Sequence, residues 1–212
     1  MITIQGVSVR RGRRVVLAGL DLRIGPGLTV VTGPNGSGKT TLLRLLATSL
    51  RPSVGSITIN GLDPADPEHR RRVRERLGYL PQDIDTESRE PIGTLLDQVA
   101  FLKGIADPHD RATALGRLAV AHDVVDHLAT RASDVTPGTL RRALTAQAFI
   151  GHPEHVILDE PFTHIDAHHR RLLHDLIDEQ RERQTTIVVS TNDYDDIVRL
   201  RPDQLVEVTS LP

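Results

Sequence analysis

The residues with the clearest chemical potential form a glycine-rich segment that ends in lysine and threonine. Residues 33–40 match the pattern G-x-x-x-x-G-K-[ST] in full, between an apolar segment and one with helical spacing. Glycines let consecutive backbone N–H groups face a phosphate at a helix N-terminus, whose partial positive charge favours anions. The pattern predicts that Lys39 reaches the outer phosphates and that Thr40 ligates Mg²⁺. The residues expected to contact the phosphates are Gly33, Pro34, Asn35, Gly36, Ser37, Gly38, Lys39, Thr40 and Thr41.

Two acidic residues follow a second apolar segment. Residues 156–158 are Val, Ile and Leu, and Asp159 and Glu160 come directly after them. An apolar strand that ends in acids places carboxylates at the carboxyl edge of a sheet, where open α/β sheets bind ligands. Such a pair alone is typical of a solvated turn. Beside a complete phosphate loop, we expect Asp159 to hold Mg²⁺ through water and Glu160 to polarise an attacking water.

The use of lysine supports a chemical requirement at position 39. The chain of 212 residues has 26 Lys and Arg residues, of which only Lys39 and Lys103 are lysines. An ammonium is a compact point charge that a planar guanidinium does not replace. A chain that otherwise uses arginine therefore retains lysine where the glycine loop needs it.

Composition excludes several classes of protein. Two Tyr, three Phe and no Trp, together with a net charge of −2, argue against a nucleic-acid surface built on stacking and counterion release. The absence of cysteine excludes disulfides and cysteine-ligated metals. No apolar run approaches the ~20 residues of a membrane span, and no apolar segment follows Met1 as in a signal peptide. We expect a soluble, intracellular globular protein that binds no nucleic acid.

The pattern of apolar residues predicts a β/α core that a helical segment interrupts. Alternation predicts strands, and a spacing of three to four residues predicts helices. Strands are expected at residues 2–10, 15–17, 20–24, 28–32, 56–60, 77–80, 155–158, 186–190 and 205–208. Helices are expected from about 41 to 49 and at 67–76, 93–103, 107–118, 140–150, 167–184 and 194–200. The four arginines around Gly12 are expected to form a solvated turn.

With these residues in place, the chain resembles the ATP-binding subunits of ABC transporters over nearly all of its length. Residues 79–82 resemble the family's Q-loop, so Gln82 is implied to contact Mg²⁺ and the attacking water. Residues 161–166, which end in Asp166, resemble the D-loop that crosses a dimer interface. The implied fold is α/β, a P-loop NTPase (RecA-like) core with an antiparallel β subdomain and an inserted α-helical subdomain. In this implied fold the core would comprise residues 1–83 and 151–212, and the helical (signature) subdomain would comprise 84–150.

The resemblance also implies an activity and partners. The chain would bind ATP and Mg²⁺, dimerise with a second ATP-binding subunit, and hydrolyse ATP to power a separate membrane permease. Asn60-Gly61 and residues 102–105 look most like the exporter branch of the family. The implied location is cytoplasmic, peripheral on the inner face of the cell membrane through the permease.

The sequence departs from the family pattern in three places. Where the family has Leu-Ser-Gly-Gly, whose N–H groups contact the γ-phosphate on the opposite subunit, this chain keeps Thr136 and Gly138 around Pro137. Pro137 lacks an N–H, and one lost charge-assisted donor costs about 1.5–3 kcal/mol. Asn192 stands where the family has a histidine that contacts the γ-phosphate. Arg11 lies about where the family has an aromatic residue that stacks on adenine.

These departures leave other interpretations open. Thr136 and Pro137 also form a good helix start, as N-cap and first helical residue. The chain would then be an ATP-dependent clamp or regulatory subunit with little hydrolysis, paired with a more complete ATPase. A soluble ABC protein of DNA repair or translation is disfavoured, since the chain has no room for a coiled-coil insertion or a tandem domain. Four histidines invite a metal hypothesis, but exposed helix surface is the better interpretation of His164, His168, His169 and His174.

Overall fold

The structure is a computed structural model that describes residues 1–84 and 87–209. These ranges contain eight strands and seven α-helices. The strands are β1 (Ile2–Arg11), β2 (Arg14–Ile24), β3 (Gly27–Thr32), β4 (Val54–Ile59), β5 (Leu77–Leu80), β6 (His155–Asp159), β7 (Thr186–Ser190) and β8 (Gln204–Glu207). The helices are α1 (Lys39–Leu46), α2 (Pro67–Glu75), α3 (Ile92–Leu102), α4 (Pro108–Ala121), α5 (Pro137–Ala148), α6 (Ala167–Glu182) and α7 (Tyr194–Leu200).

The described strands form two sheets. The order β2-β1-β4 makes an antiparallel sheet, and the order β5-β6-β7-β3-β8 makes a parallel sheet. The central strands β6 and β7 are buried along their whole length, as parallel strands covered on both faces must be. The α/β fold with an antiparallel sheet, expected from the resemblance, is therefore confirmed.

Alternate residues of the parallel sheet enter two different cores. Val31, Ile157 and Val188 pack with α1 and the antiparallel sheet. Val30 and Leu158 belong to a second cluster on the other face, which also contains residues of α6 and α7. A third cluster lies among α3, α4 and α5, the helices of the segment that interrupts the β/α pattern.

Two element boundaries differ from the sequence prediction for local reasons. The expected break between residues 17 and 20 is absent, because Gly19 adopts a φ of +57° and donates its N–H to Ser8 Oγ at 2.9 Å, so β2 continues past an irregularity in its pairing with β1. Helix α1 ends at Leu46 rather than near 49, because Thr48 has a φ of +56° and the next two N–H groups return to the Arg44 carbonyl.

The N-terminus of α5 settles which of two predicted helix starts is used. The helix begins at Pro137 rather than at residue 140, with Thr136 as its N-cap, whose Oγ1 accepts the N–H of Thr139 at 3.2 Å. The predicted cap at Asp107 with Pro108 as the first helical residue is confirmed in α4. No helix within the described residues is both long enough and apolar enough to cross a membrane.

Two buried histidines make the fold sensitive to acid. His122 and His155 are 6% and 2% exposed, and burial lowers the pKa of each to about 4. An unfolded histidine titrates near 6.5, so the folded state binds fewer protons between these values, and stability is lost as the pH falls through that window.

We expect the free energy of unfolding in urea to fall by about 1–2 kcal/mol per buried histidine between pH 7 and pH 5. Replacing His155 with Gln should remove one histidine's share of this pH dependence. The exposed His109→Gln variant is the control and should titrate like the parent chain. Equal pH slopes for all three proteins would contradict the assignment.

Candidate functional site

The glycine-rich loop adopts a backbone that other residues rarely reach. Gly33, Gly36 and Gly38 have φ values of +143°, +79° and +112°. At Gly33 the chain also passes against Val208, whose carbonyl oxygen would lie 2.1 Å from an added Cβ. The loop leaves the carboxyl end of β3 and leads directly into α1, so its N–H groups gather at the N-terminus of that helix.

The lysine of the loop is folded back into it. Lys39 is buried, and its Nζ donates to the carbonyl oxygens of Gly33 at 2.7 Å and Pro34 at 3.3 Å. The hydroxyl of Ser37 is buried beside the loop without a hydrogen-bond partner among the described residues. The loop therefore encloses a cation and an unsatisfied polar atom, an arrangement suited to an anionic ligand.

A cavity of about 510 Å³ opens over the loop. Its basic residues outnumber its acidic ones, which favours a polyanion such as a polyphosphate. The cavity is lined by Arg11, Arg14, Val16, Asn35, Gly36, Gly38, Lys39, Thr40, Thr41, Arg44, Gln82, Asp83 and Glu160. Arg14, Arg44 and Asp83 were not predicted to be site residues, because they are close to the loop in space but carry no motif in the sequence.

Oxygen atoms that suit a hard cation meet at one side of this cavity. Thr40 Oγ1 donates to Gln82 Oε1 at 2.8 Å, and the fully buried Asp159 accepts from Ser190 Oγ at 2.6 Å through Oδ1. Asp159 Oδ2 has no partner among the described residues. Burial raises the pKa of Asp159, and the hydrogen bond from Ser190 lowers it.

These oxygen atoms fit an Mg²⁺ ion that is also coordinated by a bound phosphate compound. Mg²⁺ prefers oxygen ligands and is usually bound by one or two protein groups together with phosphates and water. No cluster of three or more His, Asp or Glu side chains that could hold a metal occurs within residues 1–84 and 87–209. The protein would thus supply Thr40, Gln82 and Asp159, and the remaining ligands would come from the phosphates and solvent.

Glu160 is held at the end of β6 in an unusual conformation. Its φ is +50°, a left-handed value that costs a non-glycine residue about 1–3 kcal/mol. Its N–H donates to Ser190 Oγ at 2.8 Å, and its carbonyl oxygen accepts from Arg141. Burial raises the pKa of Glu160, Lys39 and Arg141 lower it, and neighbouring acids raise it. A strained, half-buried carboxylate beside the cavity is well placed to accept a hydrogen bond from water.

Asn192 reaches the loop from the end of β7. Its Oδ1 accepts the N–H of Gly33 at 3.2 Å, and its Nδ2 lies 3.4 Å from Asn35 Oδ1. Arg11, exposed at the turn between β1 and β2, faces the same cavity. The structure thus brings both residues to the candidate site, as predicted.

Three other predicted site residues lie away from this cavity. Thr136 caps α5, and Asp166 caps α6 by accepting the N–H groups of His168 and His169. These bonds, with one from the His169 ring, lower the pKa of Asp166 to about 2. A Cβ on Gly138 would lie 3.1 Å from the His164 carbonyl, so the start of α5 touches the segment before α6. None of the three lines the cavity over the phosphate loop of its own chain.

The prediction of exposed helix surface was wrong for two of the four histidines. His164 and His168 are exposed, but His169 and His174 are buried. His169 Nδ1 lies 2.7 Å from Asp166 Oδ2, and His174 stacks on a phenylalanine, Phe162, at 4.7 Å between ring centroids. Helix α6 packs against both α5 and residues 161–166. More than one of its faces is therefore buried, which explains the difference.

Comparison with known proteins gives the family. The model of the ABC transporter family matches residues 17–163. The lipoprotein-releasing system ATP-binding protein LolD of Bacteroides thetaiotaomicron is 30% identical over 196 residues, 90% of this chain and 89% of its own. The zinc import ATP-binding protein ZnuC of Pseudomonas putida is 31% identical over 97% of this chain and 74% of its own. The cytochrome c biogenesis ATP-binding export protein CcmA of Rhodospirillum rubrum is 36% identical over 86% and 76%.

Solved structures give the same fold. An ATP-binding subunit of an ABC transporter superposes with a TM-score of 0.88 at 21% identity, over 98% of this chain and 85% of that chain. The cassette MJ0796, a dimer in a post-hydrolysis state with ADP and Pi, superposes with a TM-score of 0.85 at 19% identity, over 100% and 97%. The phosphate loop and the acid pair both lie within the span that the family model matches. The chain belongs to the ABC transporter family, as an ATP-binding domain.

Proposed function

We propose that the chain binds Mg-ATP in the 510 Å³ cavity and hydrolyses it as one subunit of a dimer that powers a separate membrane permease. The observation that carries the proposal is the convergence of the phosphate loop, Gln82, Asp159 and Glu160 at one edge of the parallel sheet. In this proposal residues 1–83 and 151–212 are the nucleotide-binding core, and 84–150 are a helical subdomain.

Each site residue has a role that follows from its position. The loop N–H groups and Lys39 bind the phosphates, and Lys39 exchanges its two carbonyl partners for phosphate oxygens. Thr40, Gln82 and Asp159 hold Mg²⁺, which when bound neutralises charge on the phosphates. Glu160 orients a water for attack on the γ-phosphate and accepts a hydrogen bond from it. Catalysis of this kind is mostly positioning and charge stabilisation.

The positions of the residues that depart from the family pattern support a dimer that hydrolyses ATP slowly. Thr136, Gly138 and Asp166 do not line their own chain's cavity, which favours a role at the nucleotide of a second subunit. Thr136 Oγ1 accepts the N–H of Thr139 at the start of α5, and Pro137 offers no N–H. Asn192 accepts from Gly33 and cannot carry the positive charge of a protonated histidine.

The partner and the location are proposals that the relatives support in part. The relatives are named for lipoprotein release, zinc import and export in cytochrome c biogenesis. We favour export, on the short matches at Asn60-Gly61 and residues 102–105 and the 36% identity to the export protein. A permease partner would hold the chain at the inner face of the cell membrane.

A second function is favoured by the same departures. With Pro137 in the signature segment and Asn192 bound to the loop, the chain could bind ATP and close a dimer without efficient hydrolysis. It would then act as a clamp or regulatory subunit beside a more complete ATPase. Binding would be common to both functions, and the rate of hydrolysis would separate them.

Steady-state ATPase activity of the purified chain with Glu160→Gln tests the enzymatic proposal. We expect kcat to fall by about 100-fold or more, as for loss of a general base, while ATP binding persists. Glu182→Gln, an exposed residue of α6, is the matched control and should retain the parent rate. Equal and negligible rates in the parent and in Glu160→Gln would favour the clamp.

Restoring the family's donors should raise turnover. Pro137→Gly returns one N–H and Asn192→His returns an ionisable donor, so the double variant should turn over about 10-fold faster or more, given 1.5–3 kcal/mol per charge-assisted donor. Pro108→Gly makes the same change at the first position of α4 and should leave the rate unchanged. An unaltered rate in the double variant would show that these departures do not limit hydrolysis.

A further inference from the structure

The buried arginine Arg141 is not explained by the roles above. It is 4% exposed in helix α5, although a guanidinium keeps its charge in proteins and is costly to bury without partners. Its hydrogen bonds to the core are to backbone carbonyl oxygens, those of Gln82 at 3.2 Å, Asp159 at 3.0 Å, and Glu160. A single side chain of the inserted segment thus joins the backbones of two segments that line the candidate site.

The contact with Glu160 has a specific consequence. Ser190 Oγ accepts the N–H of the left-handed Glu160 residue, and the Glu160 carbonyl oxygen accepts from Arg141 and from the N–H of Thr163. Ser190 belongs to the core strand β7, whereas Arg141 belongs to α5. The orientation of Glu160 therefore depends on where α5 lies against the core.

The same helix begins with the segment proposed to act on the second subunit. Gly138 lies one turn before Arg141 along α5. A planar guanidinium offers several donors in a fixed fork, which suits three acceptors at once. A displacement of α5 would withdraw that fork from Glu160 and move Gly138 in the same step.

We propose that Arg141 is a positioning residue for hydrolysis, which holds Glu160 in its reactive orientation and makes that orientation depend on the docking of α5. The proposal rests on the proposed role of Glu160. When α5 is docked, Glu160 faces the cavity and the water it polarises. When α5 shifts, the left-handed backbone of Glu160 loses its hydrogen bond from Arg141 and the carboxylate is no longer aligned.

A double-mutant cycle tests this coupling. Arg141→Gln should lower kcat at least about 10-fold and leave KM and ATP affinity within about twofold, since Arg141 does not line the nucleotide cavity. In a Glu160→Gln background the same substitution should cause no further loss. Arg117→Gln removes an exposed arginine from α4 and is the control. Equal losses with and without the Glu160 carboxylate would overturn the proposal, whereas an unaltered rate in Glu160→Gln alone would overturn the proposed function.

Hydrogen–deuterium exchange provides a readout that needs no turnover. Thr163 donates its N–H to the Glu160 carbonyl, and Glu160 donates its own to Ser190. Both amides should exchange at least about 10-fold faster in Arg141→Gln than in Arg117→Gln, and Arg141→Lys takes the place of Arg141→Gln if that variant does not fold. Unchanged exchange at both amides would overturn the proposal even if the chain hydrolyses no ATP.

Discussion

The structure depends on the close passage of the phosphate loop beneath the last described residues of the chain. Gly33 lies so near the Val208 carbonyl that a Cβ would come within 2.1 Å of it, and the N–H of Val208 in turn donates to the Thr32 carbonyl at 2.8 Å. This contact fixes the loop at the carboxyl end of β3, between the ends of β7 and β8. The loop N–H groups and Lys39 are thereby held at the sheet edge where the acidic residues also arrive, and every other part of the site is arranged around them.

Two acidic residues lie beside basic ones at this edge of the sheet, and each is held by its own hydrogen bonds. Asp159 is paired with Ser190, its neighbour in register on β7, while Glu160 uses the same hydroxyl through its N–H. Burial raises the pKa of both carboxyls, and the cations around them oppose that rise. Arg141 connects the site to α5, so in this proposal the conformation of the site changes together with the docking of the helical segment.

Much of this arrangement could be predicted from the sequence, because its signals are local. Residues 33–40 and Asp159-Glu160 follow apolar strands directly, and the order of elements along the chain places them at one edge. What could not be predicted depends on contacts between distant segments. Arg141 looks like an ordinary helical arginine, and its only local signal is that it shares a face with the small residues Thr145 and Ala148. The burial of His169 arises in the same way, from packing of α6 against α5.

The central claim is that the phosphates of a magnesium nucleotide bind within residues 33–40, and calorimetry with Mg-ATP tests it most directly. We expect the parent chain to release heat on binding. Lys39→Ala should weaken that binding at least about 30-fold, since a charge-assisted contact is worth about 2 kcal/mol or more. Lys103→Ala removes the other lysine, which lines a separate cavity, and should bind as the parent does. No heat from the parent chain, or equal affinities for the parent and Lys39→Ala, would contradict the account.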